Sequence, residues 1–176
     1  MIKNLPARWD LEADVVAVGS GIGGLSAAIA AHDGGASAMV LERSALLGGV
    51  TATSQGQVWI AGNHHARALG IEDSPESGFR YLKRLAMDYG EDESILNFVV
   101  NAPAALKYFE DRMGLKTTVI RGCPDYYYGL TNDSVSEGRL LEVAPFPGPS
   151  LGVEWQPKTR ISPLVPYGLT SQDFAD

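Results

Sequence analysis

This sequence of 176 residues predicts an α/β fold with a parallel sheet. Three observations carry the prediction. An apolar run ends in Val15-Val16-Ala17-Val18, a glycine turn with an alanine-rich stretch follows it, and a second apolar run, Met39-Val40-Leu41, closes on Glu42. A strand, a glycine turn, a helix and a second strand within about 30 residues make the βαβ unit of a parallel sheet.

The elements follow in order. Leu11–Val18 reads as a short buried strand, because β-branched residues dominate a nearly continuous apolar run. The next helix extends to about His32, with Leu25, Ala28, Ile29 and His32 on one face, and Gly34-Gly35 ends it. Ala36–Glu42 is the second strand. The stretch "LLGGVTATSQGQVWIAGN", Leu46 to Asn63, is too polar and irregular for a regular element. Ser74 caps a further helix, with Pro75 in its first turn and Glu76 facing the positive end of the dipole; its apolar stripe runs to about Met87. Another helix spans Glu93–Met113, where Pro103 predicts a kink or a break into two.

Composition narrows the function classes. Lys and Arg number 14 against 21 Asp and Glu, a formal charge of −7. That balance lacks the basic face a nucleic-acid binder needs. No apolar run approaches the roughly 20 residues of a membrane helix. Met1–Asp10 lacks the apolar core of a secretory signal, so the cytoplasm is the expected compartment. Cys123 is the single cysteine, which excludes an internal disulfide and a cysteine-based metal cluster. His64 and His65 read as exposed loop residues, so no metal site is expected. Arg121, Arg139 and Arg160 are isolated, read as solvated, and receive no role.

The glycine turn carries the chemistry. Gly19-x-Gly21-x-x-Gly24 has the dinucleotide spacing: Gly19 for the sharp turn, Gly21 for close approach of a pyrophosphate, and Gly24 for helix–strand packing. Ser20 and Gly23 sit inside the same turn. The helix N-terminus then offers free N–H groups and a partial positive charge to the anion. Glu42 stands at a strand end, 18 residues after Gly24, where a carboxylate accepts hydrogen bonds from ribose hydroxyls. Arg43 beside it suits a phosphorylated ribose, but the acid argues against that form. The motif alone serves nicotinamide and flavin enzymes alike. A second cluster, Gly48-Gly49 with Thr51, Thr53 and Ser54, supplies small residues and backbone N–H groups suited to the ribityl chain and ring edge of a flavin, with Gly49, Thr51, Ser54 and Gly56 lining the path to the ring.

The stretch "DVVAVGSGIGGLSAAIAA…MVLERSALLGGVTATSQGQVWIAGN" resembles the FAD-binding segment of the succinate dehydrogenase/fumarate reductase flavoprotein superfamily. The stretches "GGVTATSQGQVWIAGN", "GIEDSPESGFRYLKRL" and "PDYYYG…EGRLLEVAPF…LG" are most similar to its 3-ketosteroid delta-1-dehydrogenase branch. The resemblance runs from about Asp14 to Gly152. It implies a Rossmann-like FAD-binding domain, with residues 1–155 its N-terminal part and 156–176 an extended arm packing on a partner chain. It implies FAD held non-covalently, since no histidine stands in Val50–Gln55, where the covalent branches carry one.

It also implies desaturation of a 3-ketosteroid-like or cyclic ketone, in which Tyr126 supports the tyrosine that removes a proton. Tyr126, Tyr127 and Tyr128 read equally as packing aromatics. The family's remaining catalytic residues and substrate-capping domain lie beyond the matching region. A second polypeptide is therefore expected to complete the site, with a continuation of the same chain as the alternative, and this chain alone is not expected to turn over substrate. Three rival readings remain: a fumarate or enoate reductase, a passive FAD-binding subunit whose partner carries the catalysis, and a nicotinamide dehydrogenase.

Overall fold

The computed structural model describes residues 7–163 and 170–174. It divides into two compact units, residues 7–54 with 147–163, and residues 55–146 with 170–174.

In the first unit, strand β1 (Val15–Val18) leads into helix α1 (Ile22–Asp33) and strand β2 (Ala38–Leu41). β1 and β2 pair in parallel, from Val15 opposite Ala38 to Val18 opposite Leu41. The predicted βαβ unit is therefore present, but the strand expected to be buried is not. Only Ala17 and Ser20 are buried among the described residues of this unit, and Val18 is 87% exposed. Helix α1 is apolar all round, and none of its twelve residues is buried. A helix of that character is built to be enclosed. The chain after 147 adds two short turns, Gly148–Leu151 and Gln156–Lys158, around helix α5 (Gly152–Trp155). Thr159 then bridges Leu47 in parallel fashion, with Leu47 N–H donating to Lys158 and Arg160 N–H donating to Leu47. Within the predicted arm 156–176, residues 164–169 and 175–176 lie outside the described residues.

The second unit contains β3 (Val58–Trp59), α2 (His64–Ala68), α3 (Pro75–Ala86), α4 (Asp92–Met113), β4 (Thr117–Val119) and β5 (Leu140–Val143). Its three strands form an antiparallel sheet in the order β3-β5-β4. This sheet was not expected, because β3 is two residues long and sits in a stretch that reads as loop. Pairing of Val58 with Leu141 and Trp59 with Leu140 makes it a strand. The core is Ile60, Leu106, Val119 and Leu141, with Val58, Ala102 and Leu115 packed against it.

Helix α3 begins as predicted: Ser74 Oγ accepts from Ser77 N–H, and Met87 ends it in the left-handed region. Helix α4 runs as one element through Pro103, so the break into two helices does not occur. Proline removes one backbone bond there. Val99 and Leu106, buried on either side of it, anchor both halves. Among the described residues, no helix is long and apolar enough to cross a membrane.

Leu141 is fully buried, so Leu141→Ala should cost about 2–5 kcal/mol through lost transfer energy and a residual cavity. Val18→Thr, on an exposed site of the other unit, should stay within about 0.5 kcal/mol. Denaturant melts of the two variants test the contrast.

Candidate cofactor-binding site and aromatic cavity

The glycine turn of the first unit has the geometry its spacing predicts. Gly19 has φ +99°, open to glycine at no cost, and its N–H donates to Leu41 across the sheet. A methyl group at Gly24 would overlap the carbonyl of Gly19, so helix α1 meets β1 more closely than any side chain permits. Gly21 precedes α1 and offers no capping side chain. Thr51 Oγ1 instead accepts the N–H of Ile22 at 3.0 Å. A Cβ on Gly49 would lie 3.5 Å from the Gly21 Cα, so the two glycine clusters face each other. A Cβ on Gly23 would meet nothing within 4 Å, so packing places no demand for glycine there.

Ser20, 1% exposed, is the latch between these pieces. Its N–H and hydroxyl both donate to Glu42 Oε2, at 3.0 and 2.7 Å, and its Oγ accepts the N–H of Gly48 at 2.9 Å. The N–H of Ser44 donates to Glu42 Oε1 at 2.8 Å. Hydrogen bonds from the Ser20 hydroxyl, then from the Ser20 and Ser44 backbone, hold the Glu42 carboxyl at about 2. The acid is thus ionised and fixed in direction, and a carboxylate with about four acceptor positions keeps capacity on Oε1 for a sugar hydroxyl.

Arg43 is exposed beside it. Ser54 closes the Thr51–Thr53 turn, its N–H and hydroxyl both donating to Thr51 O. Arg160 reaches the same wall, donating from Nη2 to Ser44 Oγ at 3.0 Å, while its Nε is buried with no partner among the described residues. The close-packed Gly19–Gly24 turn, the helix start whose N-cap glycine brings no side chain, the oriented acid and the Arg160 donor fit a dinucleotide.

In the second unit, Tyr126 lines a cavity of about 370 Å³ with Trp59, Tyr81, Leu82, Phe98 and Tyr127. Trp59 stacks nearly parallel with Tyr81 and with Phe98, ring centroids 5.7 and 6.4 Å away. Arg139 lies beside this stack, its guanidinium 5.3 Å from the Trp59 ring and 5.5 Å from Tyr81. It donates to both oxygens of Asp73 at 2.6 and 3.0 Å, to Asp125 at 2.9 Å and to Ser77 Oγ at 2.8 Å. Asp125 also accepts from the Trp59 indole at 2.7 Å and from Val135 N–H at 3.0 Å. The residue before Tyr126 is therefore held on three sides, while Tyr126 itself is 79% exposed. Burial pushes the Tyr81 phenol up, and its oxygen accepts the N–H of Tyr127. Gly56 belongs to this unit, with φ +72°.

Arg139 corrects the reading of isolated arginines as solvated, since it is 1% exposed. Arg121, by contrast, is an exposed surface partner of Glu137. Nothing in the spacing of Asp73, Asp125 and Arg139 announces their convergence; the available signal was Asp125 beside Tyr126 and a tryptophan in an otherwise polar loop. His64 and His65 are likewise no loop residues but open α2, and both contact Glu110.

The family model described as FAD binding domain matches residues 14–150, and the chain belongs to that family. Three curated relatives give the likeness more detail. The chain is 37% identical to a 4-oxocyclohexanecarboxylate 2-dehydrogenase of Sinomonas cyclohexanicum, over 73% of this chain and 22% of the relative. It is 35% identical to a 3-oxosteroid 1-dehydrogenase of Mycobacterium tuberculosis, over 81% and 25%. An NADH:fumarate oxidoreductase of Klebsiella pneumoniae is 37% identical over 56% of this chain and 11% of its own. Among solved structures, the 3-ketosteroid delta1-dehydrogenase of Sterolibacterium denitrificans, in complex with 1,4-androstadiene-3,17-dione, superposes with a TM-score of 0.79. That match has 33% identity and covers 85% of this chain and 26% of that one. The chain spans about a quarter of the length of the two dehydrogenases matched by sequence.

Two outcomes follow. In a carboxyl-resolved NMR titration Glu42 should titrate at about 2 rather than near 4.5. Because its folded value is the lower one, the stability it contributes is present above about 4.5 and is lost as pH falls through about 2. Arg139→Ala should cost about 3–5 kcal/mol in a denaturant melt, because it strands two buried carboxylates.

Proposed function

We propose that this chain forms the FAD-binding part of a flavin-dependent dehydrogenase that introduces a double bond beside the carbonyl of a steroid-like or cyclic ketone. The observation that carries the reading is Tyr126 at an aromatic cavity, following an aspartate locked by Trp59, Val135 and Arg139. The dehydrogenases to which the chain is similar support the same reaction class.

Each residue then has a task. Gly19 makes the sharp turn, and Gly21, Gly23 and Gly24 bring backbone N–H groups at the start of α1 against the pyrophosphate. Ser20 sets the direction of Glu42, which accepts from the ribose hydroxyls, with Arg43 alongside. Gly49, Thr51, Ser54 and Gly56 leave room for the remainder of the cofactor, held without a covalent bond. Trp59, Tyr81 and Phe98 exclude water and pack against the hydrocarbon rings of the substrate. The Tyr126 phenol hydrogen-bonds the tyrosine that takes the α proton, lowering the cost of its ionised form; an unassisted phenol, with a pKa near 10, is a poor base. FAD when bound supplies the hydride acceptor.

The polarising donors for the carbonyl, the base itself and the substrate-capping residues come from polypeptide outside this sequence, either a second chain or a continuation. The 156–176 arm serves as a docking segment for it, and the whole works in the cytoplasm. The likeness to an NADH:fumarate oxidoreductase favours a second reading, in which the same site hands electrons to an activated double bond.

The test is made on the chain together with its completing polypeptide. The assembly should carry a flavin absorption band and consume an oxidised dye with a saturated ketone. Tyr126→Phe should keep the band and lower kcat by about 10-fold or more, below the full effect of a general base. A particle without the band overturns the reading. Unchanged turnover in Tyr126→Phe with flavin intact leaves a passive binding subunit, and dye oxidation with an enoate alone selects the reductase.

A further inference from the structure

His64 and His65 open helix α2, and Glu110 lies in the last turn of α4. Their donor atoms, one imidazole nitrogen from each histidine and a carboxylate oxygen, all lie within 4.8 Å of one another. His64 Nε2 is 2.8 Å from Glu110 Oε2, and His65 Nε2 is 2.7 Å from Oε1. Each carboxylate oxygen thus faces a different imidazole. The rings are 4.1 Å apart and tilted by 37°. Consecutive residues of a helix do not face the same neighbour by default. Here both nitrogens converge on one carboxylate from another helix.

The surroundings hold this arrangement. Asn63, 1% exposed, caps α2 by accepting from Ala66 N–H, while its amide donates to the carbonyls of Ile60 and Gly138. The histidine pair therefore starts from a fixed point. Thr117 Oγ1 on β4 donates to Glu110 Oε1 at 2.5 Å, orienting the carboxylate from behind, and lies 3.0 Å from His65 Nε2. Burial alone would push Glu110 up, but the bonds from His65 and Thr117, with the charge of the two histidines, hold it below the usual carboxylate range. The side chains of His64, His65 and Glu110 are 36%, 28% and 13% exposed, so a small ion has an entry path and room for water as a further ligand.

We propose that His64, His65 and Glu110 bind a divalent transition-metal ion of the zinc type, with Thr117 orienting the carboxylate ligand. Two imidazoles and one carboxylate make a donor set suited to Zn²⁺, Co²⁺ or Ni²⁺ rather than Mg²⁺ or Ca²⁺. Bonds of about 2.0 Å to a tetrahedral ion need donors about 3.3 Å apart. The present spacing asks the partly exposed imidazoles to swing outward by about half an ångström, which staggered side-chain freedom allows. A bound ion clamps α2 to the end of α4. The proposal is independent of the flavin reading, because none of these residues belongs to the cofactor site or the aromatic cavity.

The full chain, stripped with a chelator, is titrated with Zn²⁺ against a chromophoric competitor and with Co²⁺ by its visible absorption. One ion per chain should bind, raise the Tm and be indifferent to excess Mg²⁺. Glu110→Gln and His64→Ala should abolish saturable binding. Thr117→Val should weaken it by about 10–100-fold, the range for a group that only orients a ligand. His32→Ala, the remaining histidine, should leave it unchanged. Absence of saturable one-to-one binding overturns the proposal, as does undiminished affinity in His64→Ala, which decides the matter even where Glu110→Gln fails to fold.

Discussion

A guanidinium clasped by two carboxylates and set against two aromatic faces organises the larger unit. Arg139 draws together the loop before α3 through Asp73, the first turn of α3 through Ser77, and the Pro124–Tyr128 segment through Asp125. The same carboxylates reach further, Asp73 to the N–H of Gly62 and Asp125 to the indole of Trp59. Burying three charges carries a desolvation penalty of several kcal/mol per ion, repaid only by near-complete hydrogen bonding. The arrangement meets that condition, with bonds on all three guanidinium nitrogens. It also gives the wall of an apolar cavity a rigid backing, since Trp59 is pinned at its indole nitrogen and stacked with Tyr81 and Phe98.

The smaller unit depends on a different economy of contacts. Its order comes from backbone geometry and one serine rather than from a hydrophobic interior. Gly24 lets α1 lie against the turn, and Ser20 ties the acid, the first glycine turn and the second into one piece. Around this well-defined nucleus, the apolar residues of α1, β1 and β2 remain largely uncovered. An ordered turn thus sits inside a poorly buried shell, in a chain that spans about a quarter of the length of the dehydrogenases to which it is similar.

How much of this was legible follows from how local each feature is. The βαβ unit and the Ser74 cap depend on residues a few positions apart, and the sequence displays them directly. The strand Val58–Trp59 exists only because Leu140 and Leu141, some eighty residues away, pair with it. The break allowed for at Pro103 does not occur, because local propensity counts the lost backbone bond but not the tertiary packing of Val99 and Leu106. Arg139 was misjudged for the same reason: its partners are 14, 62 and 66 positions distant. The role proposed for Tyr126 rests on resemblance, and the fixing of its neighbour Asp125 is visible only in three dimensions.

The pairing of β1 with β2 has a consequence for biogenesis. Each strand is bonded on one side, and among the described residues no further strand extends that ribbon. A free strand edge carries a row of unsatisfied peptide groups and accepts whichever extended segment arrives first. While the polypeptide emerges from the ribosome, the order in which later strands become available decides whether the ribbon grows into its own sheet or recruits a neighbour's.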